Sequence, residues 1–448
     1  MFNKNKKSKI LFITFFFVGC LFSASLLKAE NTKNSEEKTA FRFSFIHRTR
    51  FVSWDNAIHL DKTKKSDSTF TRHRTSIALS WQPHLNWEFN LKLTNEFRIY
   101  FIPSDREFSL NELFVDNLTA IWKKPGGLPL IFTLGRQNIM LGEGFVVMDG
   151  HPLDGSRSIY FNAARLDMNI KEGHNLIFFY AYQPEKDTWL PVINSQDQAL
   201  IEQPEEGITL YYTGKFRNMD LDTYFIRKNI RRAGSSSVGS GINTFGFRPS
   251  YSLNDNLQLT GEAAIQTGTY GEFGRMAFGG YVHLDYSLRG KPPIPSVMTI
   301  GGICLSGDDP QTPDMEGWDP LFSRWPKWSE SYIYTLIPEY AGKVAFWSNL
   351  ASLYGSIRYN IGRPAALDLF YYHLIAPRAS LPTLGFPGGS GKNRGDLFIS
   401  KLNLALAKGL TGHILWEVFF PGSYYRPGAD SYSWFRLELM YRWEGECL

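Results

Sequence analysis

The chain has 448 residues, 20% of them charged and 15% aromatic, with a mean hydropathy of −0.24 and a formal charge of +5. A helical membrane bundle is excluded, because it needs repeated apolar runs of about 20 residues. Disorder is excluded by the supply of apolar and aromatic residues. The mild positive charge does not call for nucleic acid but allows an anionic partner.

The first nine residues carry four lysines, followed by an apolar run from Ile10 to Leu27 and then Ala29. This is the layout of a secretory signal peptide over residues 1–29. Two other readings of the segment are an anchor helix and a lipoprotein box, Phe17-Val18-Gly19-Cys20, with Cys20 acylated. All three take the mature chain out of the cytoplasm. A polar linker follows at residues 30–40. The other cysteines, Cys304 and Cys447, have no metal-site spacing.

From residue 41 to 443 the dominant pattern alternates with period two, which is the strand signal. In 87–101, Trp87, Phe89, Leu91, Leu93, Phe97, Ile99 and Phe101 share one face, while Glu88, Asn90, Lys92, Thr94, Glu96 and Arg98 share the other. In 434–443, Phe435, Leu437, Leu439, Tyr441 and Trp443 oppose Arg436, Glu438 and Arg442. Many of these runs exceed ten residues, longer than the 5–6 usual in soluble sheets. Long strands with one apolar and one ionic face, rimmed by Trp and Tyr, predict a transmembrane antiparallel β-barrel.

About 18 strands are predicted, starting near residues 41, 70, 86, 108, 130, 158, 174, 206, 220, 241, 257, 274, 296, 349, 365, 393, 410 and 432. Connections after even-numbered strands are short and rich in Gly, Pro, Asn and Asp, the residues of tight turns. Most connections after odd-numbered strands are long: 55–69, 139–157, 184–205, 307–348, 377–392 and 421–431. Short turns on one rim and long loops on the other are the asymmetry of an outer-membrane barrel, with the N-terminus on the periplasmic side. Residues 444–448 then form a tail beyond the last strand.

The stretch Leu141-Gly142-Glu143-Gly144-Phe145-Val146-Val147 looks at first like a nucleotide loop. Its context denies this, because no kinase motifs follow and no amphipathic helix opens after it. It reads instead as the hinge of a constriction loop. The acids Asp308, Asp309 and Asp314 lack calcium-loop spacing, so no metal or cofactor is expected.

The segments Gly135-Arg136-Gln137 and Phe161-Asn162-Ala163-Ala164-Arg165 resemble the alginate-export family of outer-membrane barrels, with Asn162 and Ala163 where that family has Asp and Gly. Gly307–Phe322 is similar to another loop of that family, with Trp318 in place of Phe. The resemblance implies an 18-stranded barrel that passes an anionic uronate polymer, with outer-membrane lipid and periplasmic secretion components as partners. It also singles out Arg136 and Arg165.

By alternation Arg42, Arg48, Arg50, Arg72, Arg74, Lys92 and Arg98 face the lumen, and closure of the barrel brings Arg436 and Arg442 to the same sector. Guanidinium groups bind carboxylates bidentately without losing charge. Such a wall suits an anionic polysaccharide or organic anions. The inward Glu88, Glu96, Glu417 and Glu438 permit the alternative that arginines only brace the wall. A general diffusion porin is the competing function. An enzyme would need a nucleophile motif beside His47, His73 or His413, and none is present, so no catalytic residue is expected.

Overall fold

The computed structural model describes residues 40–104, 112–148, 160–194, 200–201, 203–233, 237–288, 295–323, 327–329, 347–362, 364–379 and 387–447. The expected signal peptide, Cys20 and most of the linker lie outside them.

Eighteen long strands form one closed antiparallel barrel. They are β1 (Ala40–Asp55), β2 (Ser68–His84), β3 (Trp87–Ile102), β4 (Glu112–Lys123), β5 (Leu130–Gln137), β6 (Phe161–Lys171), β7 (His174–Gln183), β8 (Glu205–Lys215) and β9 (Met219–Ile230). They continue as β10 (Ser240–Asn254), β11 (Leu257–Tyr270), β12 (Phe273–Ser287), β13 (Val297–Leu305), β14 (Leu350–Gly362), β15 (Ala365–Ile375), β16 (Asn393–Ala407), β17 (Leu410–Pro421) and β18 (Tyr432–Cys447). Each pairs with its sequence neighbours, and β1 closes on β18 in unbroken register from Phe41↔Cys447 to Asp55↔Ser433. Closure leaves no edge strand with unpaired amides. The final strand runs through Glu444–Cys447 rather than stopping at Trp443, since Arg42 still has Glu446 to pair with.

The outward face is an apolar belt. Ile265, Ile300, Leu353, Phe398 and Trp416 are all exposed, Leu353 by 71%. Near the short-turn rim Trp87 stacks on Trp122 at 5.2 Å and Trp81 on Phe89 at 5.5 Å. A continuous exposed belt of this kind requires hydrocarbon to cover it.

Inside, the two ends differ. Toward the long-loop rim the lumen is filled by Leu141–Met148 and Gly317–Ser323, joined as a short parallel bridge, Val147↔Phe322 and Met148↔Ser323. Phe145 stacks on Trp318 at 5.0 Å and meets Tyr281 and Trp347 edge-on. The loops cover inward-facing apolar residues of the wall, among them Phe179, Ile226, Ile242, Leu305, Leu350, Leu374 and Phe419. A polar lining on every strand is the sequence expectation. Here it is interrupted toward the long-loop rim, where the loops supply an apolar partner for part of the wall while Arg50, Lys228 and Gln266 remain polar. The Leu141–Val147 stretch thus lies inside the barrel, as expected of a constriction loop.

Candidate functional site

The wall built by β18, β1, β2 and β3 carries the predicted cations inward. Each strand alternates, so Arg48 and Arg50, Arg72 and Arg74, Lys92 and Arg98, and Arg436 come to adjacent heights. Glu96 is shared by Arg72 at 2.6 Å, Arg74 at 3.9 Å and Arg48 at 4.0 Å. Asp116 takes Lys92 at 2.5 Å and Arg74 at 3.3 Å, and accepts the Thr94 hydroxyl at 3.0 Å. Glu438 pairs with Arg50, and His413 lies 3.5 Å from the same carboxylate. Arg436 donates from Nε to His413 Nε2 at 2.9 Å. Arg98 reaches the Tyr100 hydroxyl at 3.3 Å and sits over the Phe70 ring.

Among the described residues Arg48, Arg50, Arg72, Arg74 and Lys92 thus gather around the carboxylates Glu96, Asp116 and Glu438. Arg48 is the least satisfied of them. Its side chain is buried, the residue being 1% exposed, yet none of its three guanidinium nitrogens makes a hydrogen bond. Its one ionic contact is the 4.0 Å approach to Glu96. A buried charge this poorly matched costs several kcal/mol by order of magnitude.

Two cavities flank this wall. One of 1220 Å³ lies toward the short-turn rim and is lined by Arg42, Lys92, Arg165, Asp167 and Glu446 among others. The other, of 430 Å³, is lined by Arg50, Arg358, Lys401, His413 and Glu438. Arg165 is held bidentately by Asp167 at 2.6 and 2.8 Å, and Arg442 is exposed on the inward side of β18.

Arg136 stands apart from these. Gly135 has φ 122°, and a Cβ there would lie 2.1 Å from the Leu118 carbonyl oxygen. Such a backbone is open to glycine, and the strand keeps its register through it, with Thr133 and Gln137 on the lumen side and Arg136 on the side of Leu134. Leu134 faces outward at 52% exposure, while Arg136, two residues on, is 2% exposed. Its guanidinium grips Asp187 at 2.7 and 3.0 Å, donates to Asn162 and the Val115 carbonyl, and covers the Tyr160 ring at 3.8 Å. All its donors point at protein, so the geometry is that of a clamp on the 184–194 loop rather than of a lumen group.

His47 and His73 face outward, not toward the lumen. They bond to each other's neighbours, His47 to Thr75 at 2.9 Å and His73 to Thr49 at 3.2 Å. Of the acids at 308–314, Asp308 and Asp314 accept the backbone amides of Glu316 and Gly274, and Asp309 pairs with Arg378.

The opposite wall, β8 to β12, holds a second polar group that sequence reasoning did not single out. Asp222 accepts the Tyr211 hydroxyl at 2.8 Å and Arg248 at 2.6 and 2.8 Å. Glu262 accepts Tyr224 and Tyr281, each at 2.9 Å. Glu143, from the constriction loop, meets Lys327 at 2.8 Å, His283 at 3.3 Å and Arg248 at 3.9 Å. Burial pushes the Glu143 carboxyl up, but the hydrogen bonds from His283 and Lys327 and the charge of Lys327 outweigh it and hold the group well below the usual range. Alternation along β10 could have placed Arg248 inward. Lys327 lies in a loop with no period to read.

No family model matches the chain, and no curated protein matches it. The alginate-export resemblance at Gly135–Gln137 and Phe161–Arg165 is therefore not supported at family level. Solved structures do share the barrel. OpdQ of Pseudomonas aeruginosa is 13% identical, with 90% of this chain and 98% of that chain covered and a TM-score of 0.56. The outer membrane protein OpdK of the same organism is 9% identical over 90% and 99%, with a TM-score of 0.54. OccAB4 of Acinetobacter baumannii is 9% identical over 92% and 100%, with a TM-score of 0.55. At such identities the likeness establishes the fold.

Proposed function

We propose that the protein is a bacterial outer-membrane channel that passes small organic anions. The observation that carries this reading is Arg48, a buried guanidinium whose three nitrogens make no hydrogen bond. A permeating carboxylate supplies the missing acceptors, and the low-dielectric wall strengthens its attraction. The apolar belt, the signal-peptide layout of the sequence at residues 1–29 and the shared fold with an outer membrane protein support the compartment. An alginate-like polymer fits less well, since an extended chain would have to displace the aromatic core around Phe145. A general porin shares the barrel but does not account for the unbonded guanidinium of Arg48.

The test is the reversal potential of purified full-length protein in planar bilayers under a potassium chloride gradient. Chloride should carry most of the current, and Arg48→Met should reduce the chloride-to-potassium permeability ratio about threefold, the scale of focused fields in narrow clefts. A wild-type channel selective for potassium would overturn the reading.

A further inference from the structure

Glu143 occupies a seat that is built without it. Arg248 is fixed from behind by Asp222, and His283 by Asp285 at 2.8 Å. Lys327 Nζ rests over the Tyr281 ring at 3.6 Å. Three nitrogen-bearing groups from β10, β12 and a second loop thus converge on one carboxylate position. Their anchors are groups other than Glu143. The partners are more deeply enclosed than the carboxylate they hold, with side-chain exposures of 11–17% against 34% for Glu143. The carboxylate is the lumen-facing member of the set.

The backbone on either side is suited to release it. Gly142 has φ 55° and Gly144 φ 77°, while Phe145 is locked in the aromatic core. A swing is confined to the turn Leu141–Gly144, closed by the Gly144 amide donating to the Leu141 carbonyl at 2.9 Å. The tip can leave without unpacking the rest of the loop. Larger residues are barred from the hinge, because a Cβ on Gly142 would stand 2.9 Å from the Tyr211 hydroxyl and 3.0 Å from Arg248 Nε.

We infer that Arg248, His283 and Lys327 form a second carboxylate-binding site, filled in this structure by the chain's own Glu143, which a permeating organic carboxylate displaces. The inference rests on the anion-channel reading and adds to it an internal competitor. Glu143 occludes the seat at rest. A carboxylate that has passed the basic wall exchanges with it, retracts the tip and is then held across the lumen from Arg48. No bond is made or broken; one carboxylate replaces another on the same three cations.

The site predicts opposite effects from its two halves, which a merely structural ion pair does not. The probe is sodium benzoate, added to full-length protein in planar bilayers, and the readout is the concentration giving half the maximal change in chloride current. Removing the competitor with Glu143→Gln leaves the seat intact and should lower that concentration about tenfold. Removing part of the seat with Lys327→Met should raise it about tenfold. Arg248→Gln gives the same upward shift and serves if Lys327→Met does not fold. Shifts in one common direction, or none, would overturn the inference. The reversal potential measured alongside separates the two levels. A wild type that prefers potassium removes the channel reading itself, whereas a chloride-selective wild type with unmoved benzoate response removes only the exchange site.

Discussion

The two walls of the lumen use the same chemistry to different ends. On β1, β2 and β3 the bases Arg48, Arg50, Arg72, Arg74 and Lys92 gather around Glu96, Asp116 and Glu438, and Arg48 is left without hydrogen bonds. On β8 to β12 the acids Asp222 and Glu262 are satisfied by Arg248 and by tyrosine hydroxyls, and the constriction loop adds a carboxylate of its own. An unmatched charge is expensive when buried, so the first wall gains by accepting something mobile. The second is closed at rest by the carboxylate of Glu143. Residue type alone does not separate the two; the unbonded guanidinium of Arg48 does.

The largest expected effect comes from the arginine that belongs to neither wall. Arg136→Met strands a buried Asp187 and should cost about 3–5 kcal/mol, seen as an earlier urea midpoint and faster proteolysis in 184–194. Ion selectivity should not change. A selectivity loss without destabilisation would return Arg136 to the lumen.

The next effect tests the first wall directly. Glu96→Gln removes the carboxylate shared by Arg48, Arg72 and Arg74. The chloride-to-potassium ratio should rise about twofold, opposite in sign to Arg48→Met, while the urea midpoint falls. A lowered ratio would mean that the wall is a brace with no spare charge.

The opposite wall should answer to pH in a defined window. The Glu143 carboxyl is held below its ordinary value of 4.5. A depressed carboxylate contributes fully above the unfolded value and is lost only as pH falls through the lower folded one. Around it stand His283, Lys327, Arg248, Asp285, Tyr281 and Glu262, and protonating His283 only adds attraction. Resting conductance should therefore be no greater at pH 5 than at pH 7. Opening between those values would show that another group holds the loop. Toward alkaline pH, burial lowers the Lys327 ammonium below its ordinary 10.5, against the pull of Glu143, so the latch should loosen before that value is reached.

The smallest effect is expected at the short-turn rim. Arg42 and Glu446 pair at 3.2 Å with both side chains about half exposed. Solvent screens such pairs. Arg42→Gln should leave the urea midpoint where it is and change selectivity by less than Arg48→Met does.

Much of this was legible in the residues themselves. Alternation from Trp87 to Phe101 and from Trp434 to Trp443 determined the strands, their number and the faces of Arg48, Arg72, Lys92 and Arg436. An apolar outer face against an ionic inner one leaves one register that works. The turn residues determined the short rim. Three things were left to the tertiary structure. At β13, Ile300 faces out and Ile303 faces in, and both are apolar, because the loops around Trp318 and Phe322 bury the inner one. Beside Leu134, which is exposed, Arg136 is buried because Asp187 and Tyr160 close over it. The seat for Glu143 was assembled by residues more than a hundred positions away in Arg248, His283 and Lys327. A two-residue period records which side of a sheet a residue takes. It carries nothing about what a loop later lays against that side, and in this barrel that decided which charges are spent and which are left over.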